Sequence, residues 1–201
     1  MPIAIFPFFI FIVCLINFLG NNTKKKDKES QSTFWDRETK ANATPKKDIS
    51  TLNYITLSED LFHLHIDDAE LTQLEEQVLS MKDKTILNLT GYSNTDLKLE
   101  YGAANLTALM EYDTNFTALC TAVFEWGKKL IDTGHIEEAM TVLEFGVNCG
   151  SDVTGNYTLL AHLYMDRNLS YRIDDLLKKA ESLNSLSKDN IILKLNQIVH
   201  P

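Results

Sequence analysis

Residues 120–150 read CTAVFEWGKKLIDTGHIEEAMTVLEFGVNCG, and their spacing decides the fold. Apolar residues recur three and four apart on both sides of Thr133-Gly134-His135. That is the pattern of two amphipathic helices joined by a glycine turn. With Cys120 opening a unit of about 34 residues, Val123, Trp126 and Leu130 take positions four, seven and eleven, and Leu143 takes position twenty-four. Small residues fall at the complementary places: Gly127 at eight, Ala139 at twenty and Gly146 at twenty-seven. Large side chains fill the space between paired helices, and small ones let the two backbones approach.

A second unit opens one period later, at Thr154. Tyr157, Leu160, Ala161 and Tyr164 take positions four, seven, eight and eleven, while Leu177 and Ala180 take twenty-four and twenty-seven. Ile173 stands at position twenty, where a small residue is expected, so the helix contact there is looser. Neither unit has a proline near position thirty-two, which Ser151 and Ser185 occupy. The two units resemble tetratricopeptide repeats, most closely over Gly134-His135-Ile136-Glu137-Glu138-Ala139. The resemblance covers about a third of the chain, and the first unit is the better match. It implies an all-α fold of antiparallel helix pairs stacked as an α-solenoid over residues 120–201. The alternative is an ordinary helical bundle with accidental spacing.

One helix pair cannot bury its apolar face alone, so neighbours must cap it. Upstream, residues 51–119 supply helices. Asp67-Asp68-Ala69-Glu70 looks like a capping box ahead of a helix over 68–81, with Leu71, Leu74, Val78 and Met81 on its apolar face. A second helix is expected after Asn94, with Leu97, Tyr101, Ala104 and Ala108 on one side and Gly102 weakening it. Downstream, a last helix over 188–199 carries the stripe Ile191, Ile192, Leu195 and Ile198 behind Ser187 as N-cap.

The repeat resemblance implies a non-catalytic binding scaffold for a protein or peptide partner. The first helix of each unit would line a concave surface through positions two, five, nine, twelve and thirteen. These are Thr121, Phe124, Lys128, Ile131 and Asp132, then Gly155, Thr158, His162, Met165 and Asp166. Partner contact is expected at all of these except Thr121 and Gly155. The lysine-asparagine set that clamps peptide carboxylates in chaperone-binding members of the family is missing.

Residues 3–19 read IAIFPFFIFIVCLINFL without a charge. As a helix they span about 25–28 Å, close to the roughly 30 Å hydrocarbon core of a bilayer. A single-pass anchor over residues 1–20 is the expectation. Lys24, Lys25, Lys26 and Lys28 follow it and put the rest of the chain on the cytoplasmic side. The rival is a signal segment whose cleavage would release a secreted or surface domain. It lacks a positive region ahead of the apolar run and has Phe18 near the cut. Residues 21–50 lack apolar periodicity and read as a flexible linker. Within it the Phe34-Trp35 pair could dock on the domain, begin a short helix or sit at headgroup level; docking or a helix is favoured, because a membrane role needs more than two aromatics. A structural subunit packing through the anchor is a further alternative to the binding scaffold.

The remaining features narrow the function. A net charge of −9 repels phosphate backbones and argues against nucleic acid. Of three cysteines, Cys14 lies in the apolar run, while Cys120 and Cys149 fall at apolar helix positions and read as small buried hydrophobes. His63 and His65, with Asp67 and Asp68 beyond, allow a zinc or nickel reading, though solvated surface is the simpler one. No glycine-rich phosphate loop, GxSxG or HExxH is present, so neither catalysis nor a cofactor is expected. N-x-S/T triplets begin at Asn21, Asn42, Asn88, Asn105, Asn115, Asn156 and Asn168. Several lie inside apolar helical patterns, where a glycan would clash with packing.

Overall fold

A computed structural model describes residues 31–58, 61–62, 66 and 68–200. The apolar run over 3–19, Cys14, the lysine cluster and the pair His63 and His65 lie outside the described residues. Within them all regular structure is helical. The α-helices are α1 over residues 31–42, α2 Ala69–Leu79, α3 Asn94–Tyr101, α4 Leu106–Asp132, α5 Ile136–Asn148, α6 Thr154–Asp166, α7 Ile173–Ser182 and α8 Lys188–Val199. They belong to two compact units. One comprises residues 31–47 with Asn94–Asn105, the other residues 48–93 with 106–200.

In the first unit, the stretch expected to be a flexible linker contains α1. Local periodicity gives no warning of it, because its partners are distant charges rather than apolar neighbours. Arg37 pairs with Asp96, and Glu38 pairs with Lys98 while accepting from Thr95 Oγ1 at 2.8 Å. Lys98 Nζ also donates to Asn42 Oδ1 at 2.9 Å, and Ala41 is fully buried. The helix expected to run through Tyr101 and Ala104 breaks at Gly102 instead. Its φ of +90° is left-handed, and Pro45 O stands 2.3 Å from where a Cβ would be. A 3-10 turn, Ala103–Asn105, follows. Asn105 is buried and its amide donates to Lys47 O and Tyr101 O at 2.8 and 2.7 Å, which closes that N-x-T triplet to a glycan.

In the second unit, Asp68 caps α2 by accepting from the Glu70 and Leu71 amides, both at 2.9 Å. The reciprocal half of a capping box is missing, because the third helical residue is Leu71. The Leu71 N–H, against a smaller effect of burial, holds the Asp68 carboxyl below its ordinary range. A carboxyl so depressed stabilises the fold at neutral pH, and its contribution is lost as pH falls through the depressed value. The apolar face of α2, Leu71 and Val78, packs on α4.

α4 is the spine of this unit. Its 27 residues span about 40 Å and run unbroken through Cys120, so the first repeat unit begins in mid-helix. The non-helical chain before it is laced along its length. Leu87 N–H donates to Tyr112 O at 3.3 Å, Leu89 N–H to Asp113 Oδ1 at 3.1 Å, and Asn115 Nδ2 to Thr85 O at 3.0 Å. Asn88 Nδ2 reaches Gly150 O at 3.1 Å, sixty-two residues on. Phe62 stacks on the fully buried Trp126, with ring centroids 6.2 Å apart and 12° between planes.

From α4 onward each helix packs on its successor in the chain. Gly134, with φ +85°, turns α4 into α5, and Gly150, with φ +79°, precedes α6. The small residues lie where backbones approach. A Cβ on Gly127 would stand 2.6 Å from Leu143 Cδ2, and one on Gly146 would stand 2.5 Å from Asn156 Nδ2. Ala139, Ala161 and Ala180 are fully buried. Two expectations shift. On α7 it is Leu176 that is buried and Leu177 that is half-buried, so the apolar face is turned by one residue from position twenty-four. Ser187 occupies the N-cap position of α8 but makes no side-chain cap; its N–H donates instead to Ser185 Oγ at 3.1 Å.

Two buried tyrosines on α6 make a test of this core. The Tyr157 hydroxyl has no partner among the described residues. Tyr164 donates to Glu144 Oε1 at 2.8 Å, and Arg172 donates to the same oxygen at 2.7 Å while lying 4.6 Å over the Tyr164 ring. Losing a bonded hydroxyl costs about 1–2 kcal/mol, whereas losing an unbonded one removes a desolvation penalty. In urea titrations Tyr164→Phe is therefore expected to lower stability by about that amount, and Tyr157→Phe to leave it unchanged or raise it. A larger loss at Tyr157 than at Tyr164 would reverse this assignment.

Candidate functional site: the groove between α6 and α8

α6 buries one face and offers the other. Tyr157, Leu160, Ala161 and Tyr164 point into the core, which leaves Thr158, His162 and Met165 as a stripe spaced four and three apart. α8 does the same, burying Ile191 and Leu195. Its next face carries Lys194, Gln197 and Ile198. The two stripes face each other across a groove of about 500 Å³ lined by these six residues.

The groove combines apolar and cationic chemistry. Met165 is 39% exposed, and Ile198 is half-buried against the core. The side chains of His162, Lys194 and Gln197 are exposed. Thr158 turns its hydroxyl inward, donating to Thr154 O at 3.2 Å, and so offers mainly its methyl group. An ammonium group beside a thioether and an isoleucine suits a segment that is apolar along one edge and acidic along another. The charge stands out in a chain whose net charge is −9.

The expected contact residues divide between two places. Thr158, His162 and Met165 share the groove. Asp166 is exposed at the end of α6 and is not among its lining residues. On α4, Lys128 and Asp132 are exposed and Ile131 is half-buried against the core. Phe124 is a joint between helices. It is half-buried, and its Cε2 lies 2.3 Å from where a Gly155 Cβ would be. Truncating Phe124 would loosen the α4–α6 contact, so it is a poor probe of binding. Repeat spacing alone did not reveal Lys194, Gln197 and Ile198. They lie on the capping helix, outside the repeat positions, though their spacing of three and four on a helix with a known buried stripe is a signal.

Other sites offer less chemistry. Burial pushes the thiols of Cys120 and Cys149 up to about 12, so both are protonated at neutral pH and are poor nucleophiles. No group of three or more His, Cys, Asp or Glu positioned to hold a metal occurs among the described residues. A polar recess of about 790 Å³ lies between residues 90–93 and the α7–α8 connection, and there Ser185 bonds Asp152. No helix among the described residues is long and apolar enough to cross a membrane. Compared with known protein families, curated proteins and solved structures, the chain matches none.

Proposed function

We propose that this protein is a membrane-tethered, non-catalytic adaptor of tetratricopeptide-like build, whose groove between α6 and α8 holds an amphipathic, acidic segment of a partner protein. The observation that carries the reading is the convergence of Thr158, His162 and Met165 with Lys194, Gln197 and Ile198 on one groove. Three positions singled out by repeat register and three from the capping helix form a single surface of consistent chemistry. The order of helix packing and the close approaches at Gly127 and Gly146 support the repeat-like build. The apolar run over 3–19 supports the tether, and the lysines at 24–28 support a cytoplasmic side for the helices.

The test is a photo-crosslinking residue at position 197 in the full chain, activated in membranes. The expected product is an adduct with one protein segment that alternates apolar and acidic residues at helical spacing. Met165→Asp with Lys194→Glu reverses the groove's charge and wets its apolar edge. This pair is expected to weaken capture at least about tenfold, equivalent to 1.4 kcal/mol. Its melting temperature should stay that of the parent, because both side chains are exposed. An undiminished adduct, or one whose segment is basic, would reject the groove as the binding site.

A further inference from the structure

The two halves of α1 have different surroundings. Its second half is locked to α3 by the Arg37–Asp96 and Glu38–Lys98 pairs and by the burial of Ala41. Its first half carries Phe34 and Trp35, which are 53% and 59% exposed. Their rings pack edge to face, with centroids 5.4 Å apart. Of the possibilities left open by the sequence, a helix is what the described residues show: the pair lies in α1, over residues 31–42.

Position in the chain says what could cover them. Phe34 lies fifteen residues beyond Leu19, the end of the apolar run, and Lys24, Lys25, Lys26 and Lys28 fall between. Fifteen residues reach at most about 50 Å, so a bilayer holding residues 3–19 is always within range of the pair. Two aromatic rings alone bind a membrane weakly. On a short tether, however, the encounter is intramolecular, at an effective concentration on the order of millimolar. Weak contact then suffices. Tryptophan is also the side chain most at home at the lipid–water boundary, with an apolar ring and one N–H donor. The lysines add attraction to anionic headgroups.

We infer that the Phe34–Trp35 turn of α1 is a membrane-surface contact, whose two rings lie at headgroup level and seat the α1–α3 unit on the bilayer. This rests on the tether reading, and the experiment separates the two. The chain has two tryptophans, and Trp126 is fully buried, so only Trp35 reports on the surface. The full chain is reconstituted into phosphatidylcholine–phosphatidylserine vesicles and floated on a density gradient. Emission is then read with lipids brominated near the headgroup and, separately, with iodide in the buffer.

The expected result is flotation, strong quenching by the brominated lipid, a blue-shifted spectrum relative to detergent solution and weak quenching by iodide. Trp35→Phe, which retains only Trp126, should abolish the lipid quenching and leave flotation intact. Flotation with Trp35 open to iodide and untouched by brominated lipid would overturn the inference while leaving the tether standing. Flotation with Trp35 shielded from both quenchers would also overturn it, in favour of a protein cover. A chain that fails to float would overturn the tether and, with it, the membrane contact.

Discussion

Trp126→Ala is expected to lower stability by about 3–5 kcal/mol, the range for deleting a large buried aromatic side chain. Trp126 is fully buried near the C-terminal end of α4, stacked on Phe62, and belongs to the same core as Leu130, Leu143 and Tyr157. Its indole N–H has no partner among the described residues, so the loss is one of packing and not of a hydrogen bond. Natural domains have only about 5–15 kcal/mol in total, so the variant should sit near its folding threshold. The check is urea unfolding followed by circular dichroism, with the midpoint moving strongly. Trp126→Phe, which keeps an aromatic face for Phe62, should recover much of the loss. A shift of under about 1 kcal/mol for the alanine variant would mean that the Phe62 segment is not seated on α4.

Ala139→Leu is expected to cost about 1–3 kcal/mol or more through overpacking. Ala139 is fully buried on α5, one turn before Leu143, and Leu143 already fills the space against Gly127 on α4. Three added carbons on that side have nowhere to go unless α4 and α5 part. The same substitution at exposed Thr141 is the control and should change little. An unchanged melting temperature for Ala139→Leu would mean that α4 and α5 meet on a different face.

Much of this was legible in the sequence because helical packing is local. The 34-residue spacing located the turn at Gly134 and the small residues at 127, 139 and 146, and the apolar stripe from Ile191 to Ile198 located the final helix. Each of these depends on neighbours three or four residues away or on one adjoining helix. The misses share the opposite property. α1 is held by Asp96, Thr95 and Lys98, almost sixty residues distant, and no local pattern announces them. The break at Gly102 is enforced by the backbone of Pro45 and Lys46. Half of the groove was missed because its second wall is α8, whose outer face lies beyond the residues that the 34-residue spacing covers.

The lacing of residues 54–93 onto α4 has a consequence for how the protein is made. Ribosomes deliver chain at about 5–20 residues per second. Asn88 must therefore wait about 3–12 s for Gly150, its partner sixty-two residues later. Phe62 and Leu57 wait on α4 in the same way, apolar and unpaired. Throughout that interval a stretch that cannot yet fold is exported from the tunnel ahead of the helix that will shelter it. The late helices have no such delay, since each packs on the one just made. The earlier segment should thus dock only once α4 and Gly150 have emerged, while α6, α7 and α8 are added afterwards, each onto a helix already made. A nascent chain stalled before α4 is complete should be a substrate for holding chaperones, and one stalled after α5 should not.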